Sequence, residues 1–421
     1  MIRGRGPGGQ GDAVTLRGRH VLPVASEPLA GGWVRFARGR IVEVGRGSPP
    51  PPVVDLGDAI VLPGLVNAHT HLEFSDLAAP LPAGGGLPGW IERVIGLRRG
   101  RDAAGSDETT RGVAIAAGLA ESARAGVTAI GEISTGALLP GDRGGPRVRS
   151  FREALGLNPG AMTAARVAMI RDLDAGRHPP GHAGISPHAP YSVGQPLGRQ
   201  LVDEAVRRGL PLAMHLAESP EELELLATRG GPFRGLLERL GAWLGAGPRF
   251  LSLEDWISLL ARAPRAIVVH GTFLPEVSPA LTRLARHRDR LCVVVCPRTA
   301  AALVGRLPPV AALRAAGVRV ALGTDSRASS PDLSVLPEAS VLVDAGAIDA
   351  RQAIRMATME AAWALGFEGR CGRLAAGRPA DMAILRPAGR WNDPHEAVLD
   401  PATRVVTTIR SGRVVAGEPL A

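Results

Sequence analysis

Four short apolar runs in this chain each stop at a histidine or an aspartate, and that repetition narrows the folds open to it. Leu62-Pro63-Gly64-Leu65-Val66-Asn67-Ala68 leads into His69 and His71, and Pro211-Leu212-Ala213-Met214 leads into His215. Ile267-Val268-Val269 leads into His270, and Val320-Ala321-Leu322-Gly323 leads into Thr324-Asp325. Short aliphatic runs of this kind read as strands covered on both faces, as in a parallel sheet. Titratable groups at their ends are costly to bury unless paired or bound to a metal. In a strand, the i and i+2 spacing of His69 and His71 sends both imidazoles to one face.

Between about residues 61 and 373, strand patterns alternate with helix patterns. Candidate strands are 62–68, 127–131, 148–155, 184–186, 211–215, 266–270, 291–296 and 318–323. Helix-like stretches at 113–125, 197–208, 221–228, 253–263, 278–287 and 310–316 separate them. Alternation of this kind predicts an α/β fold with a parallel sheet, and eight units predict a distorted (β/α)8 TIM barrel. Residues 13–60 and the C-terminal segment read instead as short strands and turns, which predicts a small β-sandwich built from both termini. The expected organisation is therefore residues 1–62 and 374–421 for the sandwich and 63–373 for the barrel. Residues 80–106 are rich in Gly, Pro and Arg around Trp90. They read as a long, partly helical loop able to cover a site above the first strand.

Composition removes several function classes. The formal net charge is +9, but the chain has no lysine, and its arginines are scattered. Tyr191 is the only tyrosine. A basic surface without clustered cations or stacking aromatics does not read as a nucleic-acid binder. No apolar stretch approaches the ~18 residues that span a bilayer. Residues 1–12 lack the apolar core of a secretory signal and read as a leader without structure. Three cysteines, Cys292, Cys296 and Cys371, form no paired framework, so a reducing cytoplasm is the default compartment. A small molecule is the expected partner, with a homodimer as the working assembly.

In barrels of this kind the site lies at the C-terminal ends of the strands. His69, His71, His215, His270 and Asp325 all fall there, as does His188 in Ser186-Pro187-His188-Ala189-Pro190-Tyr191. Imidazoles with a carboxylate suit a divalent cation, which lowers the pKa of a bound water from 15.7 towards about 7. Glu218, three residues after His215, stands where a turn brings a carboxyl over such a centre for proton transfer.

The chain resembles the amidohydrolase superfamily in its mononuclear, cytosine deaminase-like branch. The carrying motifs are Pro63-Gly64-Leu65-Val66-Asn67-Ala68-His69-Thr70-His71, His215-Leu216-Ala217-Glu218, Val269-His270-Gly271-Thr272 and Gly323-Thr324-Asp325-Ser326. The resemblance implies one metal, zinc first and iron as the alternative, held by His69, His71, His215 and Asp325. It implies Glu218 as proton shuttle and His270 as the group that holds the attacking water. Some hydrolases of similar layout bridge two metals with a carboxylated lysine, which a chain without lysine cannot build.

The segment around His188 is similar to deaminases of S-adenosylhomocysteine, methylthioadenosine and aminodeoxyfutalosine, which implies that His188 contacts a nucleoside. Cys296-Pro297-Arg298-Thr299 is similar to the aminodeoxyfutalosine group, and Arg298 is the candidate partner for a substrate carboxylate. Trp90 is the candidate cover. The expected reaction is deamination of a 6-aminopurine nucleoside, with aminodeoxyfutalosine as the leading substrate. Dechlorination, deamination of a pyrimidine or triazine, and a scaffold without catalysis are the competing expectations.

Overall fold

Eight short parallel strands, buried along nearly their whole length, carry the predicted histidines on one rim. The computed structural model describes residues 13–105, 108–136, 144–175, 181–274 and 278–420, so the expected leader at 1–12 lies outside the described residues. The strands are β1 (Leu65–His71), β2 (Val127–Ser134), β3 (Arg147–Ala154), β4 (Ala183–Pro187), β5 (Leu212–Leu216), β6 (Ala266–His270), β7 (Leu291–Val295) and β8 (Arg319–Leu322). Each pairs in parallel with the next.

The barrel closes through a short continuation of β8, β9 (Asp325–Ser326), which pairs in parallel with Thr70 and His71 of β1. Gly323, between β8 and β9, permits that closure: a Cβ there would meet the backbone nitrogen and oxygen of His69 at 3.0 Å. Asn67 fastens the seam. Its Nδ2 donates to Thr324 Oγ1 (2.7 Å), and its Oδ1 accepts from the Thr324 N–H (3.1 Å).

Strand alternation sorts the core. Val66, Ala68, Ala213, Ile267, Val269, Cys292, Val294 and Ala321 fill the barrel interior, which Ala364, Leu365 and Phe367 plug. Leu65, Leu212, Met214, Val268, Val293 and Val320 pack outward under the helices. This period of two is what all-buried parallel strands require. Cys292, Cys296 and Cys371 are free and buried.

Two further sheets come from the chain ends. One has the order Arg40–Arg46, Gly32–Ala37, Val14–Arg17, Val53–Asp55. The other places Ile60–Pro63 beside Met382–Arg386, with Arg404–Arg410 and Arg413–Gly417 beyond. Leu16, Val34 and Ile41 share one apolar cluster with Val61, Met382, Ile384 and Ile409, so both termini build the sandwich core.

The region expected as a long, partly helical loop at 80–106 holds an 18-residue helix, α1 (Gly86–Ala103). Gly84, Gly85 and Gly86 all have positive φ and turn the chain into it, a conformation that only glycine adopts without strain. Leu87, Trp90, Ile91 and Val94 fall at helical spacing, and their apolar face outweighs the Gly-, Pro- and Arg-rich composition. Further helices near the rim are α2 (Pro220–Thr228), α3 (Gly231–Arg239), α4 (Pro297–Val304) and α5 (Val335–Asp344). Among the described residues, no helix is long and apolar enough to cross a membrane.

Candidate active site

Backbone irregularities at four strand exits shape the polar floor. Simple alternation from Val66 and Ala68 would put Thr70, not His69 and His71, inside the barrel. A register shift between Asn67 and Thr70 resets β1, and both histidines join the central cluster. His270 follows Val269, so alternation would turn it outward. Its φ of 69° reverses that. Asp325 (φ 57°) and Ala217 (φ 54°) are also left-handed. Non-glycine residues rarely adopt this conformation, and its strain gathers at functional sites. His215 follows from plain alternation after Ala213.

The donor atoms converge. His71 Nε2 and His215 Nε2 are 3.3 Å apart, and Asp325 Oδ1 lies 3.4 Å from His69 Nε2 and 3.5 Å from His71 Nε2. His215 Nδ1 is 2.8 Å from the His188 carbonyl oxygen. A carbonyl only accepts, so the proton sits on Nδ1 and Nε2 carries a lone pair. Both ring nitrogens of His69 and Nδ1 of His71 are buried without a hydrogen-bond partner. Burial, followed by neighbouring imidazoles, holds His71 and His215 well below the usual histidine pKa, so they are neutral. Burial opposes ionisation of Asp325, but its polar contacts with the surrounding imidazoles, His69 first, hold its carboxyl below the ordinary carboxylate range.

Lone pairs facing one another across 3.3–3.5 Å repel unless a cation lies between them. Ligands about 2.1 Å from a tetrahedral centre are themselves about 3.4 Å apart. Two overlapping triads, His69/His71/Asp325 and His69/His215/His270, therefore have the donor set and spacing of a divalent cation, and a fifth position for water requires a centre expanded beyond tetrahedral.

Glu218 and His270 stand beside this cluster, with Glu218 Oε1 3.4 Å from His270 Nε2. Burial, then the charges of Asp325 and Glu222, lifts the Glu218 carboxyl well above its ordinary pKa. Its turn is held by Glu222, whose two carboxylate oxygens accept from the Ala217 and Glu218 N–H groups at 2.9 Å each. Ser219 caps α2 by accepting from the Glu222 N–H. Burial moves the Glu222 carboxyl up to about 7. The Ser219-Pro220-Glu221-Glu222 run carries the S-x-x-E capping signature, so Glu222 had a sequence signal. Here, however, the carboxylate holds the residues before the cap.

A cavity of about 320 Å³ opens over the cluster. His71, His188, His215, Glu218, His270 and Asp325 form its polar floor. Leu87, Trp90 and Ile91 of α1 and Phe233, Leu236 and Leu237 of α3 form its apolar wall. His188 meets Ser192 Oγ through Nδ1 (2.6 Å), and burial takes its pKa down to about 3. It is therefore a neutral hydrogen-bonding group on the floor.

Arg298 does not reach this cavity. Its Nε binds Glu338 Oε1 (2.7 Å), and its Nη atoms bind both carboxylate oxygens of Asp332 (2.7 and 3.0 Å). The guanidinium is saturated by the protein's own carboxylates, so the expected pairing with a substrate carboxylate is corrected. The aromatic Phe233 was not foreseen, because it reaches the cavity only through packing of α3 against α1.

A closed parallel barrel with imidazoles and a carboxylate gathered at its C-terminal rim defines a metal-dependent barrel hydrolase. The Amidohydrolase family model matches residues 60–415, and the chain belongs to that family. It is 28% identical over 390 residues to a 5-methylthioadenosine/S-adenosylhomocysteine deaminase of Moorella thermoacetica, covering 87% of this chain and 83% of that protein. It is 35% identical over 303 residues to an aminodeoxyfutalosine deaminase of Deinococcus radiodurans, covering 66% and 67%. The fold matches that of Helicobacter pylori aminofutalosine deaminase in complex with methylthio-coformycin, with a TM-score of 0.79 at 23% identity over 96% of this chain and all of that one.

Proposed function

We propose that this protein is an aminohydrolase that replaces the 6-amino group of a purine nucleoside with oxygen, consuming water and releasing ammonia. The observation that carries the reading is the buried Glu218 carboxyl, 3.4 Å from His270 Nε2 at the edge of the imidazole–carboxylate cluster. His69, His71, His215 and Asp325 are the residues that hold a divalent cation, with zinc first and iron as the alternative. When bound, that cation supplies an ionised water at neutral pH.

The chain's own groups do the rest. Glu218 takes a proton from the water and passes it to the ring nitrogen beside the reacting carbon, a transfer contributing about 10²–10⁴-fold. His270 Nε2 orients the attacking oxygen. The second proton of the water leaves with the amine as ammonia, which balances the reaction. His188 contacts the nucleoside, while Trp90 and the apolar faces of α1 and α3 exclude bulk water.

The apolar wall suits a nucleoside with an aryl or alkylthio 5′ substituent, and the relatives' names agree with that class. Aminodeoxyfutalosine is the leading substrate. The three buried thiols suit a reducing, cytoplasmic setting. The test is ammonia release by metal-loaded protein from aminodeoxyfutalosine, 5′-methylthioadenosine, S-adenosylhomocysteine and adenosine. Turnover of the first two above the others is the expected result; turnover of none overturns the reading.

A further inference from the structure

Asp325 reaches the imidazoles with one oxygen only. Its Oδ1 faces His69 and His71, while Oδ2 lies 2.5 Å from Ser329 Oγ. Ser329 Oγ is also 3.0 Å from Thr299 Oγ1 and 3.2 Å from the Ser326 carbonyl oxygen. A hydroxyl has one proton to give. The shortest contact, to a carboxylate, is the charge-assisted one and takes it. Ser329 is then left as acceptor for the Thr299 hydroxyl.

Thr299, Ser329 and Asp325 are 1%, 3% and 5% exposed, so water does not substitute for either hydroxyl. Residue 298 braces the same assembly from outside. The Arg298 N–H donates to Glu338 Oε2 (2.8 Å), and its side chain ties α4 to Asp332 and to Glu338 of α5. The start of α4 is thereby locked against the loop that follows Asp325.

We propose that Thr299 and Ser329 form a hydroxyl relay that holds Asp325 with Oδ1 turned to the imidazoles. They are positioning residues for the metal, braced by Arg298, and not substrate contacts. The inference rests on the metal cluster of the proposed function but needs no particular substrate. Partners that orient a ligating carboxylate or imidazole typically change metal affinity about 10–100-fold when removed.

The test measures release of zinc from loaded protein to an excess of a chelating dye, for wild type, Ser329→Ala and Thr299→Val. Release about 10–100-fold faster in Ser329→Ala, a smaller acceleration in Thr299→Val, and unchanged KM for turned-over nucleosides in both are expected. Metal-free melting temperatures of both variants stay near wild type, which separates metal positioning from a general packing defect. Release within about two-fold of wild type in both variants overturns the relay. A rise in KM without faster release also overturns it and returns these residues to the substrate. A protein that releases zinc as expected but deaminates no nucleoside supports the relay and overturns the substrate reading alone. A wild-type protein that takes up no divalent cation overturns both.

Discussion

The floor and the wall of the cavity are built on opposite physical terms. The floor is a set of polar groups taken out of water at strand ends, with left-handed backbone at Ala217, His270 and Asp325. Its hydrogen bonds are individually assigned, as from His215 to the His188 carbonyl and from the Ala217 and Glu218 N–H groups to Glu222. The wall is two helices, α1 and α3, joined to each other by apolar contact through Leu87, Trp90, Ile91, Phe233 and Leu236. Directional bonds at the floor leave no room for displacement, whereas apolar packing tolerates exchange of similar volumes. The floor is therefore the place for chemistry and the wall the place where substrate choice is tuned.

The sharpest way to break this contrast is to remove a floor ligand. His69→Ala is expected to abolish both metal content, measured by elemental analysis, and turnover. A variant that keeps its metal would take His69 out of the ligand set. Next in size, Glu218→Gln is expected to retain the metal and lower kcat by about 10²–10⁴-fold. Loss of metal in that variant would make Glu218 a ligand or a structural group.

At the wall, Trp90→Ala removes apolar contact shared by ground and transition states. It is expected to raise KM about ten-fold with kcat nearly unchanged. A fall in kcat of the same size would put the wall into the chemical step.

The smallest effect concerns pH. Glu218 must be ionised to accept a proton, and burial with nearby carboxylates raises its pKa. Activity therefore rises with pH along an acid limb that reports ionisation of Glu218, with burial raising that limb and the bound cation opposing the rise. Glu222→Gln removes a neighbouring negative charge only where Glu222 is ionised, at about pH 7 and above, so any shift of the limb is to lower pH. A limb that moves upward would contradict this account. Initial rates across pH with metal-saturated protein give the answer.

The same contrast explains what was readable before the structure. The eight strands were legible because all-aliphatic runs with turn residues between them have one stable arrangement, and His69, His71, His215, His270 and Asp325 were legible as their abrupt polar ends. The wall was not. Gly84-Gly85-Gly86 and the arginines of α1 resemble loop composition, and its apolar face gains meaning only once α3 is there to receive it. Arg298 shows the reverse error. A cation after a strand reads as a ligand for an anion, but Asp332 and Glu338 lie 34 and 40 residues onward and reach it only in the folded chain.

The sequence by itself determined the barrel and the identity of the polar groups at its rim, because strand periodicity and the cost of burying charge are local properties of residue order. It also implied the absence of a lysine bridge, which no fold can supply. Tertiary structure decided where those groups point. The register shift in β1 and the left-handed turn at His270 each override the alternation that sequence predicts. It also decided which carboxylates serve as braces and which face the site. Those outcomes depend on distances between segments hundreds of residues apart, such as Asn67 and Thr324, which no local pattern encodes.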